Sequence, residues 1–557
     1  MNSADNKKED NERKNDILMI FNKANKNENK EIENNIVSQI LKGKISKQEF
    51  KLKKERLFSN VRKLSLLNFA SIIKELLKRG APISIIIHLI NIRLMYEEVD
   101  NEEEWTKTKQ ELISTQINED LGPYIHYLVE ELRPPKFESK EEELASELKV
   151  GRATIYNLET FPIEYRINHI IFRHYNDIIK KEFNIDITKI LYFIKYCRNF
   201  ILKQHIHQEK FNQLEQTPYI LKKLDVIKNL SNREKNNIFF SKDEIESIIT
   251  HFSCKFGCEK KEVNSFIQET TFSKKLFILD RSGDQIFFPI FTNIMKKLKT
   301  ILSDVIKTKY PKRFIKFNEK YPEYLEFEAK NIFKLLFKSK YFKGTFIDGI
   351  YETDGLTQYK DYLILIECKK RDLEDSSVRE GFNKIKQDVQ KSFKNAIEQL
   401  KQRKDYILSK ESITLYDSNT KTKKIVGTIN LKDITKIICI VITSDDYSSI
   451  LGLKWYHDIL KLKILELEFY TISIRNLILF YLILNEPTLF LHYLLSKNRF
   501  ILNTENFVNF QEELDMIGLY LDGLLNINMN YKNIIVGDYS SKIDRYLLFH
   551  QEIKLIF

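Results

Sequence analysis

Cysteine is scarce in this chain. Cys197, Cys254, Cys258, Cys368 and Cys439 are five in 557 residues, few and odd in number. That argues against a disulfide framework and for a reducing, cytoplasmic compartment. Glycine and proline are also thin, at 15 and 10, and no internal repeat is visible. The opening MNSADNKKEDNERKND lacks the apolar stretch of a secretory signal. The longest apolar runs are Ile85–Ile90, broken by His88, and Leu477–Leu484, closed by Asn485-Glu486-Pro487. Both fall well short of the ~18 residues that span a bilayer, so no membrane span is expected. No GxxxxGK[ST] loop occurs, which sets aside an ATP motor, and no GxSxG or placeable Cys/His pair points to a covalent nucleophile. Cys254-x3-Cys258 has no second Cys or His pair at zinc spacing, and His205-x-His207 is similarly isolated.

What is present is ample apolar content and positive charge. Hydrophobic residues make up 43% of the chain, enough for two to four units at roughly 100–200 residues each. The net charge of +12 favours a polyanionic partner, nucleic acid or an anionic membrane surface. An AT-rich genome, which enriches Lys, Asn and Ile together, would produce the same balance, so charge alone decides nothing.

Residues 1–60, dense in Lys, Asn and Glu, read as a disordered or weakly helical leader. Residues 61–270 are mostly helical in spacing, as in FASIIKELLKRG and ITKILYFIKYCRNFIL. Ser241-Lys242-Asp243-Glu244 has the capping-box form ahead of IESIITHF. Residues 271–319 hold a β-hairpin, KLFILDRSGDQIFFPI, and a connecting helix. From 320 to 450 the order is a helix (PEYLEFEAKNIFKLLF), two strand-like runs (FIDGIYETDGL and YLILIECKK), a Lys- and Gln-rich helix over about 378–408, and a buried strand (ITKIICIVITS). That order describes a mixed α/β layer. Residues 451–557 read as a C-terminal helical region whose aromatic-rich part suits core or subunit contact.

The chemistry concentrates in YETDGLTQYKDYLILIECKKRD, residues 351–372. If Lys360-Asp361 is a two-residue turn, cross-strand partners have numbers that add to 721, as Asp354 and Glu367 do. Their Cβ atoms would then lie ~5 Å apart, although a looser turn would shift the pairing by one. Glu367 and Lys369 share a face, being two apart on one strand. Leu363-Ile364-Leu365-Ile366 is the continuous run of a strand covered on both sides. Two carboxylates and an ammonium at its end would need compensation if buried, and a divalent cation supplies it. Asp348 is a rival acid, but it would pair near residue 373, away from Glu367.

These residues resemble the PD-(D/E)xK nuclease superfamily over about 320–445, with Asp354 like the family's first-strand Asp and Glu367-Cys368-Lys369 like its (D/E)xK. No Pro precedes Asp354, which follows Thr353. The resemblance implies an α/β restriction-endonuclease-like core, a mixed sheet flanked by helices, embedded in a largely α-helical chain. It implies an Mg²⁺- or Mn²⁺-dependent endonuclease acting on DNA, RNA being open to the same chemistry. By analogy Asp354, Glu367 and the Cys368 carbonyl would hold metal, Lys369 would handle the attacking water, and a Glu on the preceding helix would support the metal shell. Glu326 and Glu328 lie on opposite shoulders of that helix's apolar stripe, and the family-like Phe327-Glu328 context favours Glu328. Gln399 is the family-like Gln of the following helix.

Lys370, Arg371, Lys384, Lys386, Lys391, Lys394, Lys401, Arg403 and Lys404 follow the motif and suit backbone phosphates, or a merely solvated helix face. EELASELKVGRATIYNLE (142–159) has helix-turn-helix character, with Arg152, Thr154 and Tyr156 opening the second helix and Lys149 where Gly is preferred. It supports a rival reading, a non-catalytic nucleic-acid-binding or regulatory protein on a nuclease-like scaffold; assembly as a homo-oligomer or with a partner protein is a further expectation. By association alone, such a nuclease fits defence against phage or plasmid DNA.

Overall fold

A computed structural model describes residues 47–536, apart from 79–82, 98–105, 132–160, 206–218, 232–237, 261–269, 290–293, 370–392, 421, 445–468, 504–506, 511–512 and 527–532. The helix-turn-helix candidate at 142–159, His207, and every basic residue from Lys370 to Lys391 lie outside the described residues. No helix among them is long and apolar enough to cross a membrane.

The N-terminal layer comprises α1 (Lys47–Arg62), α2 (Leu66–Lys78), α3 (Ile83–Leu94) and α4 (Lys107–Glu131). Its core includes Leu57, Val61, Phe69, Ile90 and Tyr124. The chain is thus helical and packed from Lys47, inside the expected leader, because Leu57 and Val61, one turn apart, share a buried face. Next come α5 (Phe161–Phe172), α6 (Asn176–Phe183), α7 (Ile187–His205), β1 (Tyr219–Lys222), α8 (Lys223–Ser231), α9 (Lys242–Phe252) and β2 (Ser253–Lys255). The expected capping box forms: the Glu244 amide donates to the Ser241 hydroxyl, and the Ser241 amide donates to the Glu244 carboxylate.

The expected hairpin is β3 (Phe277–Leu279) with β4 (Gln285–Phe288), inside a four-stranded sheet ordered β1-β4-β3-β2. Strands β1 and β2 are additions to the mostly helical reading of 61–270. At four and three residues they have too little periodicity to announce themselves, and the hairpin edges give them pairing.

Two helices, α10 (Ile294–Lys309) and α11 (Pro311–Phe337), then lead into the second sheet. The boundary expected between 319 and 320 falls within continuous α11. Then follow β5 (Tyr341–Ile347), β6 (Tyr351–Tyr359), β7 (Tyr362–Lys369), α12 (Asn395–Leu408), β8 (Ser412–Tyr416), β9 (Ile425–Asn430), β10 (Lys436–Thr443) and β11 (Phe469–Ser473). They form a seven-stranded mixed sheet, ordered β11-β10-β7-β6-β5-β8-β9. Strands β7, β10 and β11 run parallel and the remaining pairs antiparallel. The run FIDGIYETDGL is not one strand, because Asp348 and Gly349 turn the chain with φ of 50° and 72°. Strand β11 and a parallel pair, β12 (Phe507–Phe510) with β13 (Asn533–Val536), correct the helical reading of 451–557; α13 (Ile474–Leu484), α14 (Pro487–Asn503) and α15 (Glu513–Leu521) also lie there.

Strand β7 explains the sheet's stability. Ile364, Ile366 and Cys368 face the core shared with α11 and α13, while Leu363 and Leu365 face the core shared with α12. Each such aliphatic side chain, wholly removed from water, contributes roughly 1.5–3 kcal/mol. The architecture is mixed α/β, with two mixed sheets flanked by helices.

Candidate functional site

The β6–β7 hairpin has the register expected from its turn. Lys360-Asp361 connects the strands with Lys360 at φ 52°, and the pairs run from Tyr359 with Tyr362 to Gly355 with Ile366. Pairing stops there. On the other side, the β5–β6 ladder skips the Gly344–Asp354 pair, where Gly344 adopts φ 57°. Asp354 therefore sits where β6 leaves both neighbours, and its carboxylate is free to turn into the gap. There the Cys368 amide donates to Asp354 Oδ2 at 2.7 Å. Gly355 is required beside it, since a Cβ would lie 1.8 Å from the Tyr341 hydroxyl.

Glu367, only 3% exposed, is held by two cations. Lys369 Nζ donates to Glu367 Oε1 at 2.7 Å and to Gln399 Oε1 at 3.0 Å. Arg403, one turn after Gln399 on α12, donates from Nη1 to Glu367 Oε2. The structure thus brings Glu367, Lys369 and Gln399 together as the sequence suggests. It corrects the reading of Arg403, which is 7% exposed and spent on Glu367 rather than on solvent or phosphate. Lys394 and Lys401 do face solvent.

The two glutamates of α11 part company. Glu328, the favoured candidate, is 1% exposed and points toward α5, where Arg166 Nη2 donates to its Oε2 at 2.7 Å. Burial, opposed by Arg166, raises its carboxyl above the usual range. Glu326 instead pairs with Lys343 of β5 at 3.3 Å, and its charge acts on both Asp354 and Cys368. The glutamate brought to this site is Glu326, because β5 lies against that shoulder of α11 and α5 against the other. A helical wheel gives angles about an axis but not the neighbour at each angle. Asp348 has a bracing role, accepting from the Thr414 amide at 2.7 Å and the Tyr406 hydroxyl at 3.0 Å.

Burial, then the charge of Glu367, pushes the Asp354 carboxyl up to about 7, despite the Cys368 amide; Glu326 adds to the rise and Lys369 offsets it. Such a carboxyl is held toward its neutral form by burial and by the negative charge beside it. The donor set, carboxylate oxygens with the Cys368 thiol turned into the core, suits a hard divalent cation such as Mg²⁺ or Mn²⁺. As the side chains stand, no three acidic, His or Cys groups among the described residues converge closely enough to hold an ion. The oxygens of Glu367 face Lys369 and Arg403 instead. Compared with protein-family models, characterised proteins and solved structures, the chain finds no match.

Proposed function

We propose that this protein is a metal-dependent nuclease of PD-(D/E)xK type, hydrolysing phosphodiester bonds of DNA with Mg²⁺ or Mn²⁺. The observation that carries the reading is the placement of Asp354 in the break between strands, beside a Glu367-Lys369-Gln399 chain of hydrogen bonds. Asp354 and Glu326 would hold the ion, with Glu367 and, as the resemblance implies, the Cys368 carbonyl completing the protein's share. The ion would supply a polarised phosphoryl oxygen and an acidified water. Lys369, a quarter exposed and aimed by Glu367 and Gln399, orients that water and offsets charge building on the phosphate. Exposed Lys394 and Lys401 on α12 would meet backbone phosphates. Defence against phage or plasmid DNA remains an association.

The test is incubation of the purified protein with plasmid and linear DNA, with and without Mg²⁺ or Mn²⁺. Cleavage that needs the ion and is lost in Lys369→Ala and Asp354→Ala supports the enzyme; cleavage indifferent to all three removes it. A second reading, a charge-neutralised scaffold that binds nucleic acid without cutting it, draws on the occupancy of both Glu367 oxygens. Salt-sensitive DNA binding without cleavage would favour it.

A further inference from the structure

Away from the β6–β7 hairpin, two thiols share one turn. Strand β2 ends at Lys255 and the chain reverses over Lys255–Cys258, where the Cys258 amide donates to the Lys255 carbonyl at 3.2 Å. Gly257, third in the turn, takes the positive φ of 77° that this reversal requires. Cys254 precedes the turn and Cys258 closes it, and a hydrogen bond joins their sulfurs. The turn is also held from outside. Phe256 lies under the Arg93 guanidinium, Gly257 sits against Glu97, and the Glu259 amide donates to the Leu94 carbonyl at 3.1 Å. Two reacting groups kept together in this way need little further ordering.

The two thiols are not alike. Cys254 is 8% exposed, and its Sγ lies 3.8 Å from the Phe277 carbonyl on neighbouring β3. Cys258 is half-buried. Their hydrogen bond lowers the Cys258 thiol from its ordinary range, with Lys260 helping and burial and Glu259 opposing. The same bond, then burial, raises Cys254, which Lys297 and Lys275 offset. Lys297 of α10 holds its ammonium 3.3 Å from the Phe272 ring centroid and donates to the Lys275 carbonyl at 3.0 Å. An accessible thiolate beside a buried, protonated second thiol suits an attacking and a resolving cysteine.

We propose that Cys254 and Cys258 form a reversible oxidation site for a peroxide, Cys258 attacking and Cys254 resolving. The Cys258 thiolate attacks one peroxide oxygen and the O–O bond breaks. The sulfur is oxidised to a sulfenic acid, and the departing hydroxide takes up a proton and leaves as water. The Cys254 sulfur then attacks the sulfenic sulfur; the S–S bond forms, the S–O bond breaks, and the Cys254 proton leaves with the hydroxyl as a second water. Two electrons have passed from the thiols to the peroxide, and a dithiol reductant returns them. Because this turn meets the end of α3, closing the bond acts where the N-terminal layer joins the first sheet. The site is independent of the reading of Asp354 and Glu367.

Hydrogen peroxide applied to the reduced, folded full chain tests this, followed by unfolding, alkylation with iodoacetamide, cleavage after glutamate and mass spectrometry. The Ser247–Glu259 peptide should lose two hydrogens and take no alkyl group, and dithiothreitol should restore both thiols. Buried Cys197, Cys368 and Cys439 should be alkylated as in untreated protein. The disulfide should form about tenfold faster than free cysteine is oxidised at pH 7, reflecting the larger thiolate fraction. Cys254→Ala should stop at a sulfenic acid on Cys258 that dimedone captures. Cys258→Ala should leave Cys254 alkylatable at the dose that oxidises the wild type. Two alkylated thiols in the peroxide-treated wild type, or a product that dithiothreitol does not reverse, overturns the proposal whether or not either variant folds. Faster oxidation of Cys254 than of Cys258 in the folded variants overturns it as well.

Discussion

The N-terminal helical layer and the seven-stranded sheet each bury a charge, and they compensate it in different ways. Arg93 on α3 is fully buried, and its guanidinium donates to main-chain carbonyls of Leu64, Tyr96 and Glu97 at 2.6–3.3 Å while lying 3.8 Å from the Phe256 ring centroid. Carbonyls are fixed in place by the backbone, so this charge ties the α1–α2 connection to the end of α3. Glu367 is held by side chains, Lys369 and Arg403, beside a second carboxylate, Asp354, that accepts from the Cys368 amide. Side-chain partners can exchange for an ion or a phosphate, whereas backbone partners cannot. Burial alone does not separate architecture from chemistry; the kind of partner does.

The sharpest way to break this comparison is to truncate one member of each set. Lys369→Ala should lower ion-dependent cleavage by about 10²–10⁴-fold, the range for a positioned proton-handling or charge-offsetting group, with little change in melting temperature. Arg93→Ala should do the opposite, costing about 3–5 kcal/mol in denaturant unfolding while the remaining folded protein keeps its cleavage rate. A Lys369 variant that melts early, or an Arg93 variant that folds normally but is inactive, would reverse the two assignments. Gly355→Ala sits between them. The Tyr341 hydroxyl in the way of a Cβ should cost about 1–3 kcal/mol by overpacking, and Tyr341→Phe in the same chain should recover part of it.

In pH dependence the two regions run in opposite directions. Burial lowers His88 of α3 to about 3. The unfolded chain takes up this proton near 6.5 and the fold does not, so stability falls as pH drops from 6.5 toward 3. Asp354 is raised to about 7, so the fold binds its proton more tightly than the unfolded chain does. That contribution is complete below about 4 and disappears as pH rises to 7. Metal-free Asp354→Asn should therefore melt higher than wild type at pH 8 and close to it at pH 4, and His88→Leu should flatten the acid side. Melting curves of Asp354→Asn parallel to wild type across this range would remove Asp354 as a strained carboxyl.

The sequence alone determined the β6–β7 hairpin, its register and the alignment of Glu367 with Lys369 on one face. Those follow from local rules: a two-residue turn, a side-chain period of two, and an apolar run long enough for a doubly covered strand. Gln399 was named only through the resemblance to the PD-(D/E)xK pattern, not through a local rule. Tertiary structure decided the rest. It chose Glu326 over Glu328 by laying β5 on one shoulder of α11 and α5 on the other. It turned Arg403 from an apparently solvated charge into the partner of Glu367. It also recruited β1, β2 and β11, short segments that pair only because an edge is already there. Periodicity shows which residues share a face but not what that face meets, and at this site the neighbour sets the chemistry.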